Sequence, residues 1–293
     1  MKYAYFPGCS LESTAKEFED STHLVAEAVG MELTVIPDWN CCGATSAHNL
    51  NHHLSIALPA RNLGIAESMG ADVVAPCAAC YNRMRSAEVE LKNNAQLRNE
   101  INESLSKPFE GKISVKSGLE VFTTDEVLEM VAEKVVKPLT GLKPACYYGC
   151  LLVRPSKVLG FDDPENPQSL DKAMKTVGSE PVEWYFKNEC CGASFGLSKS
   201  EIVVKLVGDI ISNAKKQGAN CIVTACPLCT TNLEMRQAAA GKQRGKDLTM
   251  PVFYFTELLG LAMQVPGVKK CFSSHLVDVN SALDAIDGAP VVV

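Results

Sequence analysis

Ten cysteines, arranged as two sets of five, are the residues of this chain best suited to chemistry. The first set is Cys9, Cys41, Cys42, Cys77 and Cys80, and the second is Cys150, Cys190, Cys191, Cys226 and Cys229. Adding 149 to the positions of the last four members of the first set gives the last four of the second. The neighbouring residues repeat as well, because Cys-Cys-Gly-Ala occurs at both adjacent pairs. The sequence therefore predicts a duplicated metal-binding unit.

Five thiolates in one set are more than a simple metal site needs. Zinc takes four ligands in a closed structural site, and an ordinary cubane iron–sulfur cluster also takes four. Side chains on adjacent residues such as Cys41 and Cys42 are awkward partners on one tetrahedral metal, but they can reach different irons. The pattern favours a polynuclear cluster of unusual shape, with zinc in one or both halves as the alternative.

The length and composition predict two domains. A chain of 293 residues, 46% of them apolar, can bury a substantial core. The net charge of -6 and the scattered basic residues give no reason to expect a nucleic-acid partner. There is no apolar run of about 18 residues and no basic segment leading into a hydrophobic one at the N-terminus, so we expect no membrane span and a cytoplasmic location.

The thirteen cysteines do not suggest a disulfide framework. Such frameworks belong to small exported chains with thin cores, whereas this count is odd and the chain is large. We expect the three cysteines outside the repeat to be small buried hydrophobic residues of the core: Cys146, Cys221 and Cys271.

Hydrophobic patterning predicts strands that alternate with helices in both halves. The predicted strands are 2–6, 32–36, 72–75 and 119–122 in the first half, and 145–148, 182–186, 221–224 and 252–254 in the second. The predicted helices include 12–29, 48–68 with an interruption near Pro59, a helix from Tyr81 onward, and 198–217. Alternation of this kind favours parallel sheets covered by helices.

The fold class that follows is α/β, with two pseudo-symmetric domains that each hold a small parallel sheet flanked by helices. We place the domains at 1–142 and 143–293, with a helical insertion at about 92–117 in the first and a tail at the end of the second. The cysteine elements follow predicted strands, so their loops should meet at the carboxyl end of each sheet, where ligands bind in such folds.

The repeated pattern of one cysteine, a CCG motif and a C-x-x-C resembles the CCG-domain family, which includes the B subunits of heterodisulfide reductases. The resemblance covers nearly the whole chain. It implies a noncubane 4Fe-4S cluster in each domain, so two in all. The implied ligands are Cys9, Cys41, Cys42, Cys77 and Cys80 for one cluster, and Cys150, Cys190, Cys191, Cys226 and Cys229 for the other.

The same resemblance implies a catalytic role. Such a protein reduces the mixed disulfide of coenzyme M and coenzyme B, each cluster supplying one electron to one sulfur. It receives electrons through an iron-sulfur C subunit from a flavin-containing A subunit. This chain has no ferredoxin-type cysteine run of its own, so we expect it to need a donor partner.

Two other functions remain open. CCG domains also resemble parts of lactate-, glycolate- and succinate-oxidising complexes, in which this chain would be an iron–sulfur electron-transfer subunit. A non-catalytic zinc or scaffold protein is the third possibility.

The remaining candidates are cations for an anionic substrate, which carries sulfonate, carboxylate and phosphate groups. Arg154, Lys199 and Arg83 are selected by their positions shortly after cysteines, and Arg85 by the same criterion. Three histidines follow the first CCG motif, and we expect them to be solvated or structural rather than ligands, with proton donation to a leaving thiolate as the alternative: His48, His52 and His53.

Overall fold

The computed structural model describes residues 1–44 and 47–286. The seven residues at the end of the predicted tail, 287–293, therefore lie outside the described residues. In the first half the elements are β1 Lys2–Tyr5, α1 Gly8–Leu11, α2 Lys16–Ala28, β2 Glu32–Val35, α3 Ala47–Leu50, α4 His52–Met69, β3 Val73–Ala75, α5 Ala78–Asn93, α6 Ala95–Asn102, β4 Val115–Ser117, α7 Gly118–Phe122 and α8 Asp125–Lys134.

Up to residue 286, the last that the structure describes, the second half has fewer strands. Its elements are β5 Pro144–Tyr147, α9 Ser156–Leu159, α10 Ser169–Thr176, α11 Ser200–Lys216, β6 Cys221–Thr224, α12 Pro227–Met235, α13 Gln237–Arg244, β7 Val252–Tyr254, α14 Phe255–Ala262 and α15 Asn280–Leu283. Two short 3₁₀ helices, Ala193–Phe195 and Val268–Ser274, complete it.

The two sheets are parallel, as expected for strands linked by helices. The first has the order β2-β1-β3-β4 and the second β5-β6-β7. In the first sheet Ala4 is in register with Thr34 on one side and Val73 on the other. The central strands are buried, so the helices cover both faces of each sheet.

The fourth strand of the first half was predicted at 119–122, and this prediction is wrong. The strand is Val115–Ser117, and the predicted segment is the helix α7. The Ser117 side chain accepts a hydrogen bond from the Glu120 backbone N–H, and the Glu120 carboxylate accepts one from the Ser117 N–H. This capping box starts a helix where hydrophobicity alone predicted a strand. The predicted insertion accordingly ends before 115, because 115–117 belongs to the sheet.

The strand predicted at 182–186 is also wrong, because this segment forms no strand. One backbone bond, from Val182 N–H to the Pro144 carbonyl at 3.0 Å, ties it to β5. Farther along, the Trp184 indole N–H donates to the Cys146 carbonyl at 3.0 Å. The Trp184 side chain thus occupies a β5 carbonyl that a neighbouring strand would otherwise bond. Within residues 143–286 the second sheet has no counterpart of β2.

The long helix of the first half is interrupted at Asn51 and not near Pro59. The Asn51 side chain accepts from the Leu54 N–H at 3.0 Å and caps α4. The helix continues through Pro59, which is buried. A helix break can come from a new cap as well as from a proline.

The two halves pack reciprocally. Helix α2 of the first half packs on α14 of the second, while α10 of the second half packs on α7 and α8 of the first. In the same way α1 contacts α12, and α9 contacts α5. The Phe18 and Tyr254 rings stack with centroids 4.2 Å apart. These exchanged contacts form a pseudo-twofold arrangement with one continuous core.

Within the described ranges, none of the helices combines the length and the apolar character needed to cross a membrane.

Candidate metal centre

The cysteines follow the carboxyl ends of strands in both halves. Cys9 lies in α1 directly after β1, and the Cys41-Cys42 pair follows β2. Cys77 precedes the first residue of α5, and Cys80 lies in its first turn. The second set has the same placement after β5 and β6, except that no strand precedes its adjacent pair. We call the first set site one and the second set site two.

Each site contains one close pair of sulfurs. Cys42 Sγ and Cys80 Sγ are 3.3 Å apart, and their counterparts Cys191 Sγ and Cys229 Sγ are 3.7 Å apart. The exposure pattern matches too. In site one Cys42, Cys77 and Cys80 are buried and Cys9 and Cys41 are exposed; in site two Cys191, Cys226 and Cys229 are buried, Cys150 is half-buried and Cys190 is exposed. Each site thus has three buried sulfurs and two nearer the surface.

The glycine of each CCG motif points its backbone N–H at a sulfur. Gly43 donates to Cys41 Sγ at 3.4 Å, and Gly192 donates to Cys190 Sγ at 3.3 Å. Both glycines have a left-handed backbone, with φ of +78° and +81°. An N–H aimed at sulfur favours the thiolate, the form that binds metal, although at Cys41 burial outweighs the Gly43 N–H and raises the pKa.

Neighbouring thiols shift one another's pKa. The interaction with Cys80 lowers the pKa of Cys42 to about 7. In site two the interaction with Cys150 lowers the pKa of Cys190 to about 6. Their partners are shifted the other way, since Cys42 raises the pKa of Cys80 and Cys190 raises that of Cys150. Each site therefore contains a thiol that is readily ionised near neutral pH.

The two sites are neighbours across the boundary between the halves. The Cys77 and Cys226 thiols interact there, and this interaction raises the pKa of Cys77. The pKa of Cys226 is lowered, first by Cys229 and then by Cys77. Each of these two cysteines opens the C-x-x-C of its own half, so the pseudo-twofold brings equivalent residues together.

A cavity of about 80 Å³ lies at site two. All five cysteines of the second set line it: Cys150, Cys190, Cys191, Cys226 and Cys229. Ala78 and Ala79, the middle residues of the first C-x-x-C, also line this cavity. The first half therefore supplies part of the wall of site two.

The backbone before each adjacent cysteine pair is fixed by different residues in the two halves. In site one, Asn40 N–H donates to the Asn62 side-chain oxygen at 2.9 Å, and the Asn62 amide donates back to the Asn40 carbonyl at 2.9 Å. In site two, the Tyr147 hydroxyl donates to the Glu189 carbonyl at 2.6 Å. Sequence motifs and their spacing do not reveal these hydrogen bonds, because each bond joins residues that are far apart in the chain.

The candidate cations have different surroundings. Arg83 is half-buried; burial lowers its pKa, while the charge of the neighbouring Cys42 raises it. Arg154 is paired with Glu165, both contacts being 3.1 Å, and Lys199 is exposed. Arg85 is paired with the buried Glu88 at 2.7 Å. The Arg83 guanidinium therefore interacts electrostatically with a cysteine of site one.

The three histidines and the cysteines outside the repeat are placed as expected from sequence. His48, His52 and His53 are exposed, and His52 and His53 contact Glu90 and Glu100. The cysteines outside the repeat are all buried: Cys146, Cys221 and Cys271.

The donor set fits a sulfur-rich metal group better than a single ion. In the part of the chain that the structure describes, no three His, Cys, Asp or Glu side chains are grouped around one metal-ion position. Each site instead has one close sulfur pair and one backbone N–H directed at a further cysteine sulfur. Five cysteines in one site, one more than a tetrahedral ion binds, suit a polynuclear iron–sulfur group.

Comparison with known proteins gives three informative matches. The family described as Cysteine-rich domain, CCG, matches residues 3–85 and 145–234. The 8-methylmenaquinol:fumarate reductase membrane anchor subunit of Wolinella succinogenes is 34% identical over 280 residues, covering 94% of this chain and 97% of that protein. The B subunit of the ferredoxin/F(420)H(2)-dependent CoB-CoM heterodisulfide reductase of Methanosarcina acetivorans is 28% identical over 268 residues, covering 89% of each.

A solved structure has the same fold. The crystal structure of a hypothetical protein from Helicobacter pylori matches with a TM-score of 0.68 at 16% identity. The match covers 95% of this chain and 52% of that one, so this chain spans about half its length.

Proposed function

Because this chain belongs to the CCG cysteine-rich domain family, we propose that it is the catalytic subunit of a heterodisulfide reductase complex. Its substrate is the coenzyme M–coenzyme B disulfide or a similar one. The observation that carries the proposal is that the two sites adjoin: Ala78 and Ala79, which lie between Cys77 and Cys80 of site one, line the cavity of site two. Two one-electron sites placed side by side suit the cleavage of one two-electron bond.

The ten cysteines would hold two noncubane 4Fe-4S clusters, five for each. Site one would use Cys9, Cys41, Cys42, Cys77 and Cys80, and site two would use Cys150, Cys190, Cys191, Cys226 and Cys229. When bound, these groups supply the electrons, one from each site. The fifth thiolate of each set, which an ordinary cubane would not need, supports this choice.

The reaction is balanced by two electrons and two protons. The S–S bond breaks, both sulfurs are reduced, and two thiols leave. The chain's own contribution is to hold the sites next to each other and to keep three sulfurs of each away from solvent. Arg83 would bind an anionic group of the substrate, since a half-buried cation suits sulfonate or carboxylate. Arg154 would have to leave Glu165 to do the same, and Lys199 would act from the surface.

The complex would also contain an iron-sulfur C subunit and a flavin-containing A subunit in the cytoplasm. The relative in Methanosarcina acetivorans is named as the B subunit of such an enzyme, which supports this assembly. This chain would then receive its electrons from the C subunit.

The test is metal analysis followed by turnover. Protein purified without oxygen, together with its partners, should contain about eight irons in this chain with matching sulfide. With a one-electron donor it should convert the coenzyme M–coenzyme B disulfide to two thiols. Stoichiometric zinc with little iron, or no thiol release from fully loaded protein, would overturn the proposal.

A second candidate rests on the relative in Wolinella succinogenes, which is 34% identical over nearly its whole length and is named as part of a fumarate reductase. In that case the chain would be an iron–sulfur electron-transfer subunit of a complex acting on succinate or fumarate. Loaded protein would then exchange electrons with a quinol and leave disulfides unchanged. Assaying both reactions on one preparation separates the two candidates.

A further inference from the structure

The two sites differ at one pair of equivalent positions. Arg83 lies three residues after Cys80, and Asn232 lies three residues after Cys229. Both are in the helix that carries the last cysteine of the site, α5 in one half and α12 in the other. The duplication has therefore placed a cation in site one where site two has a neutral amide.

In site two the amide contacts the buried member of the adjacent pair. Asn232 Nδ2 lies 3.7 Å from Cys191 Sγ and 3.3 Å from the Cys191 carbonyl oxygen, and Asn232 is buried. This is a neutral hydrogen bond to a cluster ligand.

In site one the cysteine equivalent to Cys191 is Cys42, and Arg83 occupies the position from which Asn232 reaches Cys191 in site two. Arg83 donates to the Asn82 side-chain oxygen at 2.6 Å. Asn82 is fully buried, and its amide donates to the Leu151 and Arg154 carbonyls of the other half at 3.1 and 2.9 Å. The guanidinium is thus held in place by a residue that is itself anchored on both sides of the boundary.

The charge of Arg83 is not neutralised locally. Among residues 1–44 and 47–286, no carboxylate lies within 4.0 Å of its guanidinium, whereas Arg85 in the same helix is paired with Glu88. A half-buried cation without a carboxylate acts on its surroundings at reduced dielectric screening. Site one therefore has an unpaired positive charge at the position where site two has a neutral amide 3.7 Å from a cysteine sulfur.

Resting on the two-cluster function proposed above, we propose that Arg83 and Asn232 give the two sites different reduction potentials. Reduction adds negative charge, and a cation beside a ligand sulfur stabilises the reduced state more than a neutral amide does. Hydrogen bonds and charge at the sulfurs are established controls of such potentials. Site one is therefore the more easily reduced of the two.

The difference in reduction potential sets the order in which the sites are reduced. The sites are close enough to exchange electrons, so an electron delivered to either one moves to site one, which is the more easily reduced. Site two is reduced by the second electron. The pair of sites thus stores one electron before the two-electron reaction starts.

The test measures potentials without any disulfide present. The variant Arg83→Asn gives site one the residue of site two, and Arg83→Lys keeps the charge as a matched control. Both are loaded with iron, checked for iron and sulfide, and titrated electrochemically while electron paramagnetic resonance follows each site. Arg83→Asn should reduce the difference between the two reduction potentials by about 59 mV, which corresponds to a tenfold change in the equilibrium constant for sharing one electron between the sites. Arg83→Lys should keep most of the gap.

Unchanged potentials in fully loaded Arg83→Asn protein would overturn the inference. If that variant does not bind iron, Asn232→Leu provides the test. Loss of the hydrogen bond to Cys191 should lower the reduction potential of site two and widen the difference between the two potentials. An unchanged difference in Asn232→Leu would also overturn the inference. Failure of the proposed function gives a different result. A chain that does not hold two clusters shows no pair of reduction potentials. A chain that holds both clusters but does not reduce disulfides still shows both potentials, so the inference can be tested on it.

Discussion

Gly8 lies so close to Cys80 that a β-carbon on it would be 2.9 Å from the Cys80 sulfur. Its backbone is left-handed, with φ of +70°. The pseudo-symmetric pair repeats this relationship: a β-carbon on Gly149, where φ is +68°, would lie 3.1 Å from Cys229 Sγ. In each half the glycine before the first cysteine makes room for the sulfur of the last.

This contact predicts that Gly8→Ala displaces Cys80 and impairs metal loading at site one. Gly30→Ala is the matched control, since Gly30 has the same φ of +70° but nothing within 4 Å of an added β-carbon. Both variants should lose about 1 kcal/mol or more of stability from backbone strain. Iron per chain, measured after anaerobic purification, should fall toward half only in Gly8→Ala; equal iron in the two variants would contradict the prediction.

The proximity of the two sites predicts that both are needed for turnover. Cys41→Ala or Cys190→Ala should abolish disulfide reduction while leaving the spectroscopic signal of the other site. Cys271→Ala, which removes a cysteine outside both sets, should keep turnover. The measurement is thiol release per chain together with iron content. Near-normal turnover in either single-site variant would mean that one site suffices.

A buried histidine predicts how stability depends on pH. His275 lies between Glu234 and Glu257, 3.0 Å from each, with 1% of its side chain exposed. Burial opposes the charged ring, but the carboxylates outweigh it and raise the pKa of His275 from 6.5 to about 10. A raised pKa gives stability that is complete below about pH 6.5 and is lost as the pH rises through about 10.

His275→Gln should therefore cost stability on the order of a few kcal/mol at pH 6 and much less near pH 10. The measurement is the free energy of unfolding in urea at both pH values. His52→Gln is the control, because His52 is exposed. A cost for His275→Gln that is the same at both pH values would show that the ring is not charged in the folded protein.

A second buried pair is bonded to Tyr148, which lines the cavity of site two. Lys187 Nζ is 2.9 Å from Asp171 Oδ1, and the Tyr148 hydroxyl donates to Asp171 Oδ2 at 2.7 Å. Lys187→Met should destabilise the protein by about 3–5 kcal/mol, since it leaves a buried carboxylate without its cation. Lys205→Met breaks an exposed pair and should change stability by less than about 1 kcal/mol. Thermal unfolding of both variants checks this; similar losses would contradict it.

Sequence patterning located the strands whose hydrophobic runs are short and bounded, such as Val252–Tyr254. It placed the fourth strand of the first half wrongly because the Ser117 and Glu120 capping box outweighed the apolar run that follows. It also predicted a strand at 182–186, where the Trp184 indole N–H bonds to the Cys146 carbonyl of β5 in place of a ladder of backbone hydrogen bonds. Both errors come from side chains that bond to the backbone, which a hydrophobic pattern does not register.

The resemblance to the family implied one disulfide shared by both sites, but the residues alone did not show that the sites adjoin. The repeat indicates that Cys77 and Cys226 are equivalent, but equivalent residues meet only if they lie near the pseudo-twofold axis. That depends on how α2, α10 and α14 pack between the halves. Such packing is decided by shapes that no short motif encodes, and Arg83 could be distinguished from the other cations only by its electrostatic interaction with Cys42 in the structure.

The wall that Ala78 and Ala79 contribute to the cavity of site two has a consequence for how the protein matures. The C-terminal half cannot complete its own metal pocket, because part of the enclosure comes from residues made earlier by the ribosome. The halves also exchange helices around one continuous core, so the cavity is closed only when both have been synthesised and have packed together. A C-terminal half produced alone would lack the wall that Ala78 and Ala79 place beside its five cysteines.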